Sequence, residues 1–265
     1  MTRALSIELI WPDRPFPERA VAAAAGGFDL VDLWDRRTSD LTALSIACRD
    51  NGIGINGFFG NRDHGLADPE NSASALDDIA RSIEAAQEVG ARQLHVFSNA
   101  ILKGGVVQPI SAPPMTAWAT AVENLQAAAD LARGSGVQLM LEHLNTAHLP
   151  GYLWRDAGSV AATAREVARD EVRAVFDTYH QQLTAGRLVD TLLAGWEWFG
   201  RIDIAGVPGR CEPGTGEIDF GYLRTVIEEH GWDGPMTFEI TPTGDPDHAV
   251  AAINRIFPSR RSTHA

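Results

Sequence analysis

Two hydropathic patterns alternate along the chain. Short apolar runs read as buried strands, and longer segments with apolar residues every three or four positions read as amphipathic helices. The runs are residues 4–10 (ALSIELI), 28–34 (FDLVDLW), 53–59 (IGINGFF), 93–97 (QLHVF), 137–144 (VQLMLEHL), 172–177 (VRAVFD), 201–205 (RIDIA) and 235–240 (PMTFEI). Helices are predicted over 17–25, 38–51, 72–89, 115–132, 157–168, 187–199, 220–230 and 247–256. The clearest is 72–89, with Ala75, Ile79, Ile83, Ala86 and Val89 at the helical period. Thr38 or Ser39 is the expected cap of the second helix, and Gly52 its stop. Residues 60–71 and 99–114 read as long loops, and loops of that length tend to be functional.

Eight strands alternating with eight helices imply parallel pairing and right-handed crossovers. The expected fold is α/β, a (β/α)8 TIM barrel in one domain over 1–257, and 265 residues fit it. The polar tail 258–265 (PSRRSTHA) is expected to be disordered. A doubly wound open sheet is the rival. Its dinucleotide-binding form would need a G-x-G-x-x-G turn after the first strand, which the chain lacks there.

The net charge of −13 argues against nucleic acid as a partner, because such a surface repels phosphate backbones. No run of about 18 apolar residues exists, so no membrane partner is expected. Cys48 and Cys211 form no ligand or redox motif, which suits a cytoplasmic protein. A homo-oligomer is compatible with the sequence.

Barrel chemistry collects at the C-terminal ends of the strands and in the loops after them. Each of the last four strands carries an acid near that end: Glu142, Asp177, Asp203 and Glu239. One strand-end carboxylate can be satisfied by a loop. Four of them in a barrel mouth would repel one another, and a divalent cation removes the repulsion. All-oxygen ligation favours Mg²⁺ or Mn²⁺ over zinc. His180, three residues after Asp177, is either a loop histidine or a substrate contact. Arg210, in the Pro-Gly-Arg turn after strand seven, is either solvated or a bidentate grip for a carboxylate. His143 and His95 read as structural. Trp11, Trp34 and Trp154 lie at strand-to-helix junctions, where they line a pocket or cap the barrel. Trp118, Trp196, Trp198 and Trp232 read as core.

The segments EHLN (142–145), FDTYHQQ, IDIAGVPGRCEPGTGEIDF and FEITP resemble the hydroxypyruvate isomerase family, within the xylose-isomerase-like sugar isomerases and epimerases. The resemblance is dense over 142–242 and densest in the loop after strand seven. It implies a metal held by Glu142, Asp177, Asp203 and Glu239, with Glu142 and Glu239 as the proton-transfer pair. It also implies substrate contacts from His180 and Arg210, and Trp154 and Asn145 are further candidate substrate contacts. The implied substrate is a small hydroxy-carbonyl compound, hydroxypyruvate or a related short 2-oxo sugar acid, isomerised through an enediolate. Position 203 departs from the family, which commonly has Gln or His there. Alternatives on the same metal site are ketose 3-epimerisation and inosose-type dehydration. A non-catalytic barrel that binds a sugar acid is an alternative of another class. An abasic-site endonuclease would need more metal ligands and a basic groove, and the chain shows neither.

Overall fold

The computed structural model describes residues 1–37 and 39–259. Its strands are β1 (Thr2–Ser6), β2 (Leu30–Asp32), β3 (Gly54–Phe59), β4 (Gln93–Val96), β5 (Ile101–Leu102), β6 (Val106–Val107), β7 (Gln138–Leu141), β8 (Val172–Asp177), β9 (Phe199–Ile204) and β10 (Pro235–Phe238). The helices are α1 (Phe16–Ala25), α2 (Leu41–Asp50), α3 (Ser72–Val89), α4 (Pro114–Ala132), α5 (Ala157–Val167), α6 (Thr178–Thr184), α7 (Leu188–Ala194), α8 (Phe220–Glu229) and α9 (Pro246–Ile256). Eight parallel strands close into a barrel in the order β1-β10-β9-β8-β7-β4-β3-β2, the fold the alternation predicts. No helix among the described residues is long and apolar enough to cross a membrane.

The chain packs as two compact units, each described by itself. The first comprises 1–56, 177–179 and 201 onward. Here β1 lies between β2 and β10, with Ala4 opposite both Leu30 and Thr237, and β10 pairs on with β9. Its mostly aliphatic core contains an aromatic cluster. Phe238 meets Phe28 and Phe257 edge to face at 5.9 and 5.2 Å. The second unit comprises 57–176 and 180–200. There β3, β4, β7 and β8 pair in sequence. Close approach fixes one residue: a Cβ at Gly57 would stand 2.2 Å from the Gln93 carbonyl oxygen.

Helix α3 buries Ala75, Ile79, Ile83 and Ala86, the stripe its periodicity predicts, and stops at Gly90 in the left-handed conformation. Helix α5 starts with a capping box that the sequence reading did not single out. The Asp156 carboxylate accepts from the Ser159 N–H at 2.7 Å, and the Ser159 hydroxyl receives the Asp156 N–H at 3.3 Å. Asp156→Ala should therefore cost about 1 kcal/mol in urea denaturation. An unchanged midpoint would show that the box contributes nothing.

Several boundaries differ from expectation. The cap of α2 is Asp40, whose carboxylate accepts from Ala43 N–H. Of the two expected caps, Thr38 lies outside the described residues. The predicted helix 187–199 is a shorter α7, a 3-10 turn over Trp196–Trp198, and the start of β9. The 99–114 loop contains the β5–β6 hairpin. The four tryptophans expected in the core are only half-buried, and the Trp118 indole N–H donates to Glu166 at 2.7 Å. The tail reading falls mostly on 260–265, outside the described residues. Ser259 is described, and its hydroxyl donates to the Gly27 carbonyl at 3.0 Å.

Candidate active site

Strand β9 brings Arg201 and Asp203 to one face, because residues two apart on a strand share a face. Arg201 is fully buried, 1% exposed. Its Nε donates to Asp203 Oδ1 at 2.5 Å and its Nη1 to Asp32 Oδ1 at 2.8 Å. Asp32 Oδ2 accepts from the Asn56 amide at 2.9 Å and from the Thr237 hydroxyl at 3.3 Å. Burial opposes the Arg201 charge, but the two aspartates outweigh it and raise the guanidinium's pKa above its ordinary value.

Asp177 ends β8, and Glu239 follows β10. Both are buried and both receive Arg210. Arg210 Nη2 lies 2.5 Å from Glu239 Oε2 and 3.3 Å from Asp177 Oδ2, and its Nε donates to the Glu239 carbonyl at 3.0 Å. The guanidinium also lies over the Tyr179 ring, 5.2 Å from its centroid. The other Glu239 oxygen, Oε1, accepts the Trp34 indole N–H at 2.6 Å. The Trp34 backbone N–H is donated in turn to Glu8 at 3.1 Å. Burial raises the pKa of Glu8. The Trp34 hydrogen bond and the Arg19 charge act against that rise, and the charges of Glu239 and Asp35 add to it.

The loop that presents Arg210 is tied down along its backbone. Gly206 and Cys211 exchange two hydrogen bonds, and the Arg210 carbonyl accepts from Thr241 N–H at 2.8 Å. Glu217 N–H reaches the Val207 carbonyl at 2.8 Å, an approach only Gly216 permits, since a Cβ there would stand 2.3 Å from the same oxygen. Glu212 anchors the far side through the Thr243 hydroxyl and N–H at 2.5 and 2.9 Å. Burial would raise the Glu212 pKa, but these hydrogen bonds prevail and lower it.

In the second unit Glu142 follows β7, and its Oε2 lies 2.8 Å from His95 Nδ1. Its backbone carbonyl accepts the Tyr152 hydroxyl at 2.9 Å. His180 sits in the first turn of α6, where a loop was expected. Its Nδ1 accepts the Asn145 backbone N–H at 3.0 Å, which leaves the proton of the neutral ring on Nε2. The Asn145 side-chain amide lies 2.8 Å from the same nitrogen, and its oxygen accepts from His148 N–H. Asn145 is thus buried as a brace for His180. One oxygen of Glu142 and one ring nitrogen of His180 lie within 4.8 Å of each other. Trp154 is buried completely, its carbonyl accepting from Leu144 N–H at 3.1 Å. His143 is buried with its pKa pushed down to about 3 by desolvation, so it stays neutral and structural.

The first unit thus gathers Asp177, Asp203, Glu239 and Arg210, and the second gathers Glu142, His180 and Asn145. Sequence reading missed Arg201 and Asp32 and treated His95 as structural, although it pairs with Glu142. It left Trp34 undecided between pocket wall and packing. The Asp32 signal was present: an acid within the apolar run FDLVDLW, the same feature that singled out the other four.

The donor set suits a hard divalent cation. Asp177, Asp203 and Glu239 each offer an oxygen within 4.8 Å of the others, and all three are buried. Around them four carboxylates, counting Asp32, face the two guanidiniums of Arg201 and Arg210.

Residues 19–256 match the family described as xylose isomerase-like TIM barrel. The chain is 31% identical over 249 residues to a 2-oxo-tetronate isomerase of Cupriavidus necator, covering 90% of this chain and 92% of that one. It is 27% identical over 265 residues to a putative hydroxypyruvate isomerase of Mus musculus, covering 96% and 95%. Among solved structures, a family 2 AP endonuclease of Brucella melitensis superposes with a TM-score of 0.86 at 25% identity, covering 96% of this chain and 98% of that one. A D-psicose 3-epimerase superposes at 0.81 and 17% identity, covering 97% and 100%, a likeness of fold.

Proposed function

The chain belongs to the xylose isomerase-like TIM barrel family and is an isomerase, and from that premise we propose that it interconverts short 2-oxo acids bearing a neighbouring hydroxyl, with hydroxypyruvate and 2-oxo-tetronate as the leading substrates. The observation that carries this reading is the buried group Asp177, Asp203 and Glu239 with Arg210 laid across two of its members. Carboxylates of that kind suit a hard cation, and a guanidinium suits a substrate carboxylate.

In the proposed site Asp177, Asp203, Glu239 and Glu142 would hold Mg²⁺ or Mn²⁺. A bound divalent ion supplies Lewis-acid polarisation of the substrate carbonyl. The protein's own residues do the rest. One of Glu142 and Glu239 takes the proton from the hydroxyl-bearing carbon, and an enediolate results. The other returns a proton to the former carbonyl carbon. For hydroxypyruvate a proton leaves C3 and one arrives at C2, the C3 hydroxyl proton passes to the C2 oxygen, and the product is tartronate semialdehyde. Trp34 holds one oxygen of Glu239 and so limits its rotation. His95 does the same for Glu142. The His180 ring, braced by Asn145, offers an Nε2 proton to a substrate oxygen. The same reading makes the protein cytoplasmic, with no nucleic-acid or membrane partner.

The test is a panel of hydroxypyruvate, 2-oxo-tetronate and free ketoses, run with Mg²⁺ or Mn²⁺ and again after chelation, in D₂O as well as H₂O. Turnover of the acids, lost on chelation, with solvent deuterium appearing at the carbon that gains the proton, is the expected result. Turnover confined to free ketoses would replace this reading with 3-epimerisation. Turnover indifferent to chelation would remove the metal from it.

A further inference from the structure

Arg210 lies against two of the carboxylates that would hold a cation. Its Nη2 contacts Glu239 Oε2 and Asp177 Oδ2, two of the three carboxylates whose oxygens converge within 4.8 Å. A divalent ion ligated by those carboxylates would sit about 2.0–2.6 Å from their oxygens. A guanidinium nitrogen 2.5 Å from Glu239 Oε2 competes with such an ion for the negative charge of that carboxylate. Charge sets the two against each other, because two cations that close repel in a buried site.

The two ends of Arg210 differ in their freedom to respond. Its backbone is held in the left-handed region, φ 60°, and its carbonyl is bound by Thr241 N–H. Its Nε is bound to the Glu239 carbonyl, not to a carboxylate. Nη2 is the nitrogen that reaches Asp177 and Glu239. The guanidinium is planar and moves as a unit, so rotation about the aliphatic side-chain bonds lifts Nη2 and Nε together while the Thr241 anchor on the backbone stays. The Tyr179 ring, already beneath the guanidinium, offers the displaced group a favourable face.

We propose that Arg210 is a resident counter-cation that a divalent metal ion must displace, so that the arginine becomes available to an anionic ligand only when the metal is bound. The proposal rests on the metal reading given under the proposed function and adds an order of binding to it. In the metal-free protein the guanidinium is occupied by Asp177 and Glu239. When a cation neutralises those carboxylates, Nη2 is released from them and Arg210 takes a carboxylate from solution instead. Metal and anion then bind cooperatively, and by linkage each strengthens the other by the same factor.

The experiment is calorimetric titration of the metal-stripped full chain with Mn²⁺, for wild type, Arg210→Gln and Arg210→Met. It is repeated at saturating propionate, a carboxylate that hardly chelates. Removing the competing cation should tighten Mn²⁺ binding about tenfold in both variants, within the usual range of such couplings. Propionate should tighten Mn²⁺ binding in wild type and leave the variants unmoved. Weaker or unchanged Mn²⁺ binding in the variants overturns the exchange. A propionate effect equal in all three proteins also overturns it, since the anion would then act elsewhere. Absence of Mn²⁺ binding in every protein removes the metal reading itself, and the exchange with it. Tight Mn²⁺ binding with no effect of substitution removes the exchange alone.

Discussion

Glu239→Gln is expected to lower kcat on hydroxypyruvate by about 10²- to 10⁴-fold, the usual cost of losing a positioned proton carrier. Geometry adds to the chemical loss. Both carboxylate oxygens of Glu239 are acceptors, one for the Trp34 indole N–H and one for Arg210 Nη2. An amide has a single acceptor and an NH₂ group, so it must turn a donor toward either Trp34 or Arg210. The side chain would lose its orientation as well as its basicity. Glu142→Gln should be similarly slow, because the amide would either keep its oxygen on His95 or turn its NH₂ toward it. Both variants are to be assayed at saturating Mn²⁺, so that weakened metal binding is not read as lost proton transfer. Near wild-type kcat in either would end its assignment as a proton carrier. Solvent deuterium exchange separates the two roles. A variant that still exchanges the substrate proton but forms no product has lost the delivering acid, and one that exchanges nothing has lost the base.

The barrel was legible because its determinants are local. Apolar runs bounded by glycine and helices of period 3.6 can be read from a few residues at a time, and α3 matches its predicted span to the residue. The acids at the ends of the last four strands were legible for a related reason. A carboxylate inside an apolar run is conspicuous wherever it lies. What sequence could not supply was pairing across distance. Arg201 and Asp32 are 169 positions apart and meet in the interior, and Trp34 and Glu239 are 205 apart. Neither spacing has a periodicity to detect. The i, i+2 relation of Arg201 to Asp203 was readable, since it puts both side chains on one face of the strand. It answers the question raised by an acid at position 203. The extra negative charge does not stand alone beside the other carboxylates, because Arg201 lies against it at 2.5 Å. Asp203 therefore brings less net charge to the site than its side chain suggests. Its reach is set by Arg201 as much as by its own length.

That dependence makes Arg201→Met the second large effect, and this one falls on stability. Met fills much of the volume but leaves Asp32 and Asp203 buried with no guanidinium between them. Removing one partner of a buried ionic group costs about 3–5 kcal/mol, because the remaining charge keeps its desolvation penalty and loses its compensation. Asn56 and Thr237 still donate to Asp32, so the larger part of the strain should fall on Asp203. Arg201→Lys should recover only part of the loss. An ammonium can lie against one carboxylate, but it lacks the planar fork that spans Asp203 and Asp32 at 2.5 and 2.8 Å. The control is a triple variant that adds Asp32→Asn and Asp203→Asn to Arg201→Met and so removes the charges together. It should be more stable than Arg201→Met alone, since unpaired charge is the costly element rather than the missing hydrogen bonds. Urea denaturation at neutral pH gives all four values. A loss below about 1 kcal/mol for Arg201→Met, or a triple variant less stable than the single one, would show that the aspartates find other compensation and that Arg201 is not what keeps the acidic interior folded.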